Sequence, residues 1–380
     1  MLSILHLVID EKFIEGAISL FEVDKRVNNT YAYVQTSLKY PFFKYLKNEK
    51  IEIFSEKQIL DEINSKDVVV LHSLPSLPIN LIGKISKKVK VVWLAWGYDL
   101  YDSFFYSVIP TQLYAPVSAD FFEKRNKEKS IRSKLGNIKR LIKHRLYLKK
   151  ALARIDYFSG VFPYEYDEVC KYNKVFRAKS IDFYYGSLNF FIPEKPSLEI
   201  AKGKRNVIIG NSGDLSNNHL DVIRLLKENN CKIDGTLIIP LSYGCDGTYA
   251  NVVERKANEL CKGRVNALRK FVPLKEYLEL VSNCRVAIYA HRRQQASDNI
   301  FLQLLYGAKV YMTEKSLAFH YLRKIGLHIY SLESDLDSFN EDISDESVLE
   351  NRRILSALYS ETTLIERIKR INETLLEMTD

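Results

Sequence analysis

"VIIGNSGDLSNNHLDVIRLL", Val207 to Leu226, reads as a strand, a loop and a helix in direct succession. The loop from Gly210 to His219 holds two glycines, three asparagines, two serines, an aspartate and a histidine. A helix beginning there leaves unpaired N–H groups and a partial positive charge at its first turn, which suits a phosphate. Gly210 and Gly213 allow a tight turn and close backbone approach to a ligand. Asn211, Ser212, Asp214, Ser216, Asn217, Asn218 and His219 supply short polar groups that bind oxygens, cap the helix, or both. An ordinary cap needs one such residue, so a donor-binding loop is the fuller reading.

The same rhythm runs through the chain. Buried-strand candidates in the first half are "SILHLVI", "YAYVQT", "KIEIF", "DVVVLHSL", "KVVWLAW", "YFSGVF" and "SIDFYY". In the second half they are "RNVIIG", "GTLIIPL", "RVNALRKF", "RVAIYAH", "AKVYM" and "LHIYSL". Most are short, β-branched and uninterrupted, as strands covered on both faces should be. Helical stretches alternate with many of them, which predicts α/β domains with parallel, doubly wound sheets. A segment rich in proline, glycine and charge, 186–205, predicts a linker. The expected division is 1–190 and 200–361, with a C-terminal amphipathic helix at 362–380.

Ligands of such sheets bind beyond the carboxyl ends of strands, so the loops there carry the candidates. After "AIYA" come His291, Arg292, Arg293, Gln294 and Gln295, then a helix containing Asn299. Two guanidiniums beside a helix start make an anion site, and with the first loop they could close on one diphosphate. Tyr243 and Gly244 follow another strand, and the tyrosine suits a base or sugar. In the first half, Trp96, Gly97, Asp99, Tyr101 and Asp102 follow "VVWLA", an aromatic and acidic mixture suited to a sugar. Asp99, Asp102 or Asp10, the last at the end of the first strand, could serve as a general base.

Composition narrows the classes. The formal net charge is +9, and residues 124–150 alone carry twelve Lys/Arg against Glu128, or 12 − 1 = +11. Within them Ile131, Leu135, Ile138, Ile142 and Leu146 recur near helical spacing, a basic amphipathic pattern for an anionic membrane surface. A helix packed on its domain with a solvated basic face is the plain alternative. Nucleic acid is a further one, without a motif to support it. The five cysteines form no CxxC pair, and no metal-ligand cluster is evident. "DLD" at 335–337 lies in an acidic run and reads as a solvated loop. No GxGxxG follows a strand and no GxxxxGK[ST] occurs, which argues against dinucleotide oxidoreductases and P-loop NTPases. The N-terminus reads as a first strand, not a signal peptide, and no apolar run approaches ~18 residues.

The chain resembles the bacterial N-acetylfucosaminyltransferases of glycosyltransferase family 56. The resemblance rests on "GNSGDLSNNH", "PLSYG" and "RQQ" at 293–295, and more thinly on "WGYDLY" and the strand with His6 and Asp10. It implies a GT-B fold, two Rossmann-like domains facing across a cleft, with the donor in the C-terminal one. It also implies metal-independent transfer without a cofactor. The implied donor is a dTDP-linked 4-acetamido-4,6-dideoxygalactose, and the implied acceptor an undecaprenyl-diphosphate-linked saccharide. His6, Trp96, Gly97 and Tyr101 fall on the acceptor side. Together with the basic segment this gives an enzyme on the inner face of the bacterial inner membrane, with no nucleic-acid partner expected. One departure touches the donor sugar: after "RQQ" the family tends to place glycines, and here Ala296, Ser297, Asp298 and Asn299 follow. Another nucleotide-sugar, or a non-catalytic relative, are the alternatives.

Overall fold

The computed structural model describes residues 1–36, 43–101, 107–127, 132–186, 188 and 203–377, with 126–127 and 132–141 described by backbone alone. The expected linker at 186–205 and Asp102 lie largely or wholly outside these. The chain divides into two compact units.

The first unit comprises Met1–Pro110, Ser130–Ser187 and Tyr359–Asp380. Its strands are β1 Leu2–Val8, β2 Val27–Gln35, β3 Ile51–Ser55, β4 Val68–Leu71, β5 Lys90–Leu94, β6 Tyr157–Ser159 and β7 Lys179–Ser180. They form one parallel sheet in the order β3-β2-β1-β4-β5-β6-β7. Helices α1 Ile14–Phe21, α2 Ile59–Asn64, α3 Ile79–Ile82, α4 Gly97–Leu100, α6 Arg132–Arg154 and α7 Tyr164–Tyr172 connect them. All four residues of β4 are buried, as its β-branched run predicts.

The second unit comprises Thr111–Lys129 and Leu188–Leu358. Strands β8 Asn206–Ile209, β9 Leu237–Pro240, β10 Val265–Leu268, β11 Cys284–Tyr289, β12 Lys309–Met312 and β13 Ile329–Ser331 lie in the order β10-β9-β8-β11-β12-β13. This is the Rossmann order, with its switch point between β8 and β11. The helices are α5 Pro116–Lys127, α8 His219–Glu228, α9 Gly247–Cys261, α10 Leu274–Ser282, α11 Ser297–Leu305, α12 Leu317–Lys324 and α13 Asp345–Tyr359.

Two features correct or extend the expected boundaries. Thr111–Lys129 belongs to the second unit, although the strands before and after it belong to the first. The cause is Asp221 of α8. Its carboxylate accepts from Val117 N, Ser118 N and Ser118 Oγ at 2.7–2.9 Å and so caps α5 from outside. The last helix, α14 Glu361–Leu376, returns to the first unit. It buries Leu364, Ile368, Ile371 and Leu375, one stripe at helical spacing. Asn372 Nδ2 of this helix reaches Asp24 Oδ2 at 3.2 Å, and Arg26 beside Asp24 holds that carboxyl down at about 2.

Candidate functional site

At the switch point of the second unit, the loop after β8 runs from Gly210 to Asn218. A Cβ on Gly210 would overlap Asn217 Oδ1, and its φ of +71° is left-handed, so only glycine fits. Asn217 is completely buried. Its Oδ1 accepts from Asn211 N at 2.9 Å and His291 Nε2 at 2.8 Å, and its Nδ2 donates to Ser212 Oγ and the Asp214 carbonyl. One amide therefore fixes the loop after β8 and joins it to the loop after β11.

A second tie lies nearer the surface. Ser216 Oγ donates at 2.5 Å to Asp214 Oδ1 and lies 2.9 Å from Gln295 Oε1. Gln295 Nε2 donates to Asn211 Oδ1 at 3.1 Å, while Arg293 Nε donates to Gln295 Oε1 at 2.9 Å. The loop after β9 closes a third side. Gly213 N donates to the Tyr243 carbonyl at 2.8 Å, a Cβ on Gly213 would overlap Cys245 Sγ, and one on Gly244 would crowd Asp214. Three loops thus meet at the carboxyl edge of β9, β8 and β11, beside the first turns of α8 and α11.

The predicted donor residues divide by exposure. Ser212, Ser216, Asn217, Asn218 and His219 are buried scaffold. Asn218 spends its amide on the carbonyls of Leu113, Ser216 and Ala290 and accepts from Ala115 N, so it anchors the 113–115 segment. Burial pushes His219 down to about 3 and His291 well below its usual value. Neither imidazole carries charge for a phosphate. Asn211, Asp214, Arg292, Arg293, Gln294, Gln295 and Asn299 stay partly exposed, and Tyr243 and Gly244 are exposed. Arg292 Nη1 lies 3.2–3.3 Å from the Gln112 and Tyr114 carbonyls, which draws that guanidinium toward the 112–114 segment. Arg293 is the guanidinium at the loop junction. Asn299 Oδ1 accepts from Tyr277 OH at 2.6 Å. Among the described residues no group of His, Cys, Asp and Glu is placed to hold a metal ion.

Residues 169–358, half of the chain, match the family model described as 4-alpha-L-fucosyltransferase, glycosyl transferase group 56. The chain belongs to this group. It is a glycosyltransferase, and all three loops of the second unit lie in the matched region. Solved structures share its fold. A glycosyltransferase from Rickettsia africae is 14% identical, with a TM-score of 0.63 over 99% of this chain and 98% of that one. HepE of Anabaena, solved with UDP, is 11% identical, with a TM-score of 0.64 over 98% of this chain and 99% of that one. HepE solved with UDP-glucose is 13% identical, with a TM-score of 0.62 over 98% of this chain and the whole of that one. The glycosyltransferase has the GT-B fold of two Rossmann-like units.

In its first unit the switch point lies between β1 and β4. Here the structure reassigns several expected residues. Asp99 is fully buried in α4. Its oxygens accept from Leu74 N at 2.7 Å, Trp93 Nε1 at 3.0 Å and Trp96 N at 2.6 Å. Burial pushes this carboxyl up to about 7 against those bonds. It is a buried capping hub. Asp99→Ala will orphan three buried donors and cost roughly 3 kcal/mol, read as a lower denaturation midpoint. A midpoint equal to wild type would refute the hub.

Asp10 is likewise engaged: it accepts from Lys44 N, Tyr45 N and Leu46 N at 2.8–2.9 Å, and those bonds hold its carboxyl low. Tyr101 is buried and donates to Glu165 Oε1 at 2.9 Å, so it does not face an acceptor. His6 is enclosed in the sheet by Phe21, Tyr31 and His72. Gly97 is the buried first residue of α4. Trp96 keeps an exposed portion, beside Phe13 and Tyr185, and Asp10 is also partly exposed. Sequence reading passed over Glu11, His72, Ser73 and Tyr185 at this edge. Ser73, just past β4, has a φ of +98°, a strained value for serine, and its Oγ accepts from Tyr98 OH at 3.0 Å.

Proposed function

We propose that this glycosyltransferase moves a 4-acetamido-4,6-dideoxygalactose, or a close relative, from its dTDP donor to an undecaprenyl-diphosphate-linked saccharide. The observation that carries the donor half is the junction of the β8 and β11 loops at the switch point, with Arg293 and two helix N-termini beside it. Such a junction neutralises a diphosphate leaving group through a guanidinium and helix N–H groups, with no metal required. The sugar is chosen by chemistry and family together: group 56 is described as fucosyltransferase, and this donor is a fucose bearing an acetamido group at C4. HepE binds UDP and UDP-glucose, so a UDP-sugar is the second reading.

Transfer forms a bond from an acceptor oxygen to the anomeric carbon and breaks the bond to phosphate. The nucleoside diphosphate leaves with the electron pair, and the acceptor proton needs a base. With Asp99 and Asp10 committed to backbone donors, Glu11 is the carboxylate left at the end of β1 among the described residues. It lies half-buried with Asp10, Lys12 and Lys44 around it, and burial raises it above the usual carboxylate range. The base acts when ionised, so its contribution falls as pH drops through that raised value.

The location proposed is peripheral, on the inner face of the inner membrane. No helix among the described residues is long and apolar enough to cross a bilayer. In α6, Ile142 and Leu146 are 56% and 58% exposed, while Leu148, Ala151 and Leu152 one turn on are buried. Exposed apolar side chains beside Lys143, Arg145, Lys149 and Lys150 suit an anionic headgroup layer. Ile131 lies outside the described residues, as do the side chains of Leu135 and Ile138. The assay is transfer of label from the dTDP-sugar to a prenyl-diphosphate saccharide in EDTA. Glu11→Gln is expected to lower kcat about a hundredfold with donor KM unchanged. Full activity in that variant would remove Glu11 from the mechanism, and transfer that requires added divalent metal would remove the metal-free account.

A further inference from the structure

Beneath the β1/β4 switch point, four side chains form a hydrogen-bonded row whose protons can all be assigned. Asn29 Nδ2 donates to the Phe21 carbonyl at 3.0 Å, which turns Asn29 Oδ1 toward His6 Nε2, also at 3.0 Å. An amide oxygen only accepts, so His6 Nε2 carries the proton. In a neutral ring Nδ1 is then a bare lone pair. It faces His72 Nε2 at 3.1 Å, so that nitrogen is protonated as well. His72 Nδ1 is left bare and faces the Tyr185 hydroxyl at 3.0 Å. The phenol must therefore donate inward.

Neutrality of both rings follows from their surroundings. His6 and His72 are 0% exposed, and burial holds His6 at about 4 and His72 well below its usual value. At the far end of the row stands a phenol oxygen with lone pairs and no proton to offer. Tyr185 is partly exposed and its ring lies 4.6 Å from that of Trp96. Burial pushes the Tyr185 phenol well above its usual value, and the Trp96 indole N–H beside it opposes that shift, although this N–H falls outside hydrogen-bond geometry with any described residue. The oxygen retains unused accepting capacity.

We propose that Tyr185 binds the acceptor: its hydroxyl oxygen, with its own proton committed to His72, accepts a hydrogen bond from a sugar hydroxyl lying against Trp96. His72 and His6 are positioning residues that act through it. The proposal rests on the reading of the acceptor as a saccharide. It also sets a selectivity, because a hydroxyl or amide N–H can donate into this oxygen whereas a carboxylate or phosphate cannot.

Two measurements test it. Nitrogen-15 NMR of the full chain, labelled at histidine and assigned with His72→Gln, should show His6 and His72 protonated at Nε2 alone at pH 7. A proton on His72 Nδ1 would overturn the proposal. Tyr185→Phe keeps the ring against Trp96 and removes only the oxygen. With a farnesyl-diphosphate-linked disaccharide of N-acetylhexosamines as acceptor, its acceptor KM should rise about tenfold, the loss of one hydrogen bond. Donor KM should stay put, while the melting temperature falls modestly because His72 Nδ1 loses its donor. An unchanged acceptor KM, or an equal rise in both KM values, would also overturn it. A wild-type chain that transfers no sugar would defeat the glycosyl-acceptor reading itself, whereas the tautomers report on the row regardless.

Discussion

Asn217→Ala should lower the stability of the second unit by roughly 3–5 kcal/mol and weaken nucleoside diphosphate binding at least about a hundredfold. The side chain is completely buried and serves four partners: His291 Nε2, Asn211 N, Ser212 Oγ and the Asp214 carbonyl. Alanine orphans several of these at once. Each buried group without a partner costs roughly 1–3 kcal/mol, and partial relaxation keeps the total below the sum. Binding should suffer because the same amide holds the loop backbone proposed to face the phosphates. Denaturant unfolding and nucleotide titration read the two effects separately. Wild-type values for both would show that the amide does not organise the loop.

Arg293→Ala should lower kcat/KM for sugar transfer by roughly 100–1000-fold, the range for losing one preorganised charge stabiliser. The fold should survive, because Arg293 is partly exposed and its Nε is bonded to Gln295. Arg292→Ala serves as the comparison. Its guanidinium lies against the carbonyls of Gln112 and Tyr114, so it should loosen the 112–114 segment more than it slows transfer. If the two variants lost activity equally, Arg293 would have no special place at the leaving group.

Much of this architecture was legible in the chain. Twelve of the thirteen apolar runs that read as strands became strands, and "SIDFYY" gave only the end of the short β7, Lys179–Ser180. The reason is local: β-branched runs bounded by polar turns have few other solutions when both faces must be covered. The donor loops were legible because glycine, asparagine and serine cluster after strands only where a loop is held in a demanding shape. Which of their residues face outward was not legible. Asn217 and Asn218 have the same side chain at adjacent positions as the exposed-looking loop residues, and only tertiary partners more than seventy residues away, His291 and Ala290, turn them inward.

The first unit was harder to read for the same reason. Asp99 looks like a base because aspartates after strands often are one. Its burial depends on Leu74 and Trp93, which sequence spacing does not bring together. Likewise no local pattern marks Asp221 as the cap of α5, 103 residues earlier in the chain. Tyr185 carried no signal at all, since its meaning lies in a proton row that crosses three strands.

The second unit is proposed to hold a nucleoside diphosphate at the β8/β11 junction. Isothermal titration of dTDP, UDP and GDP into the wild-type chain and Arg293→Ala, in EDTA, tests it most directly. dTDP should bind the wild-type chain more tightly than UDP or GDP, and the variant should lose at least about tenfold in affinity. Absence of binding by all three nucleotides, or equal binding by wild type and variant, would contradict it.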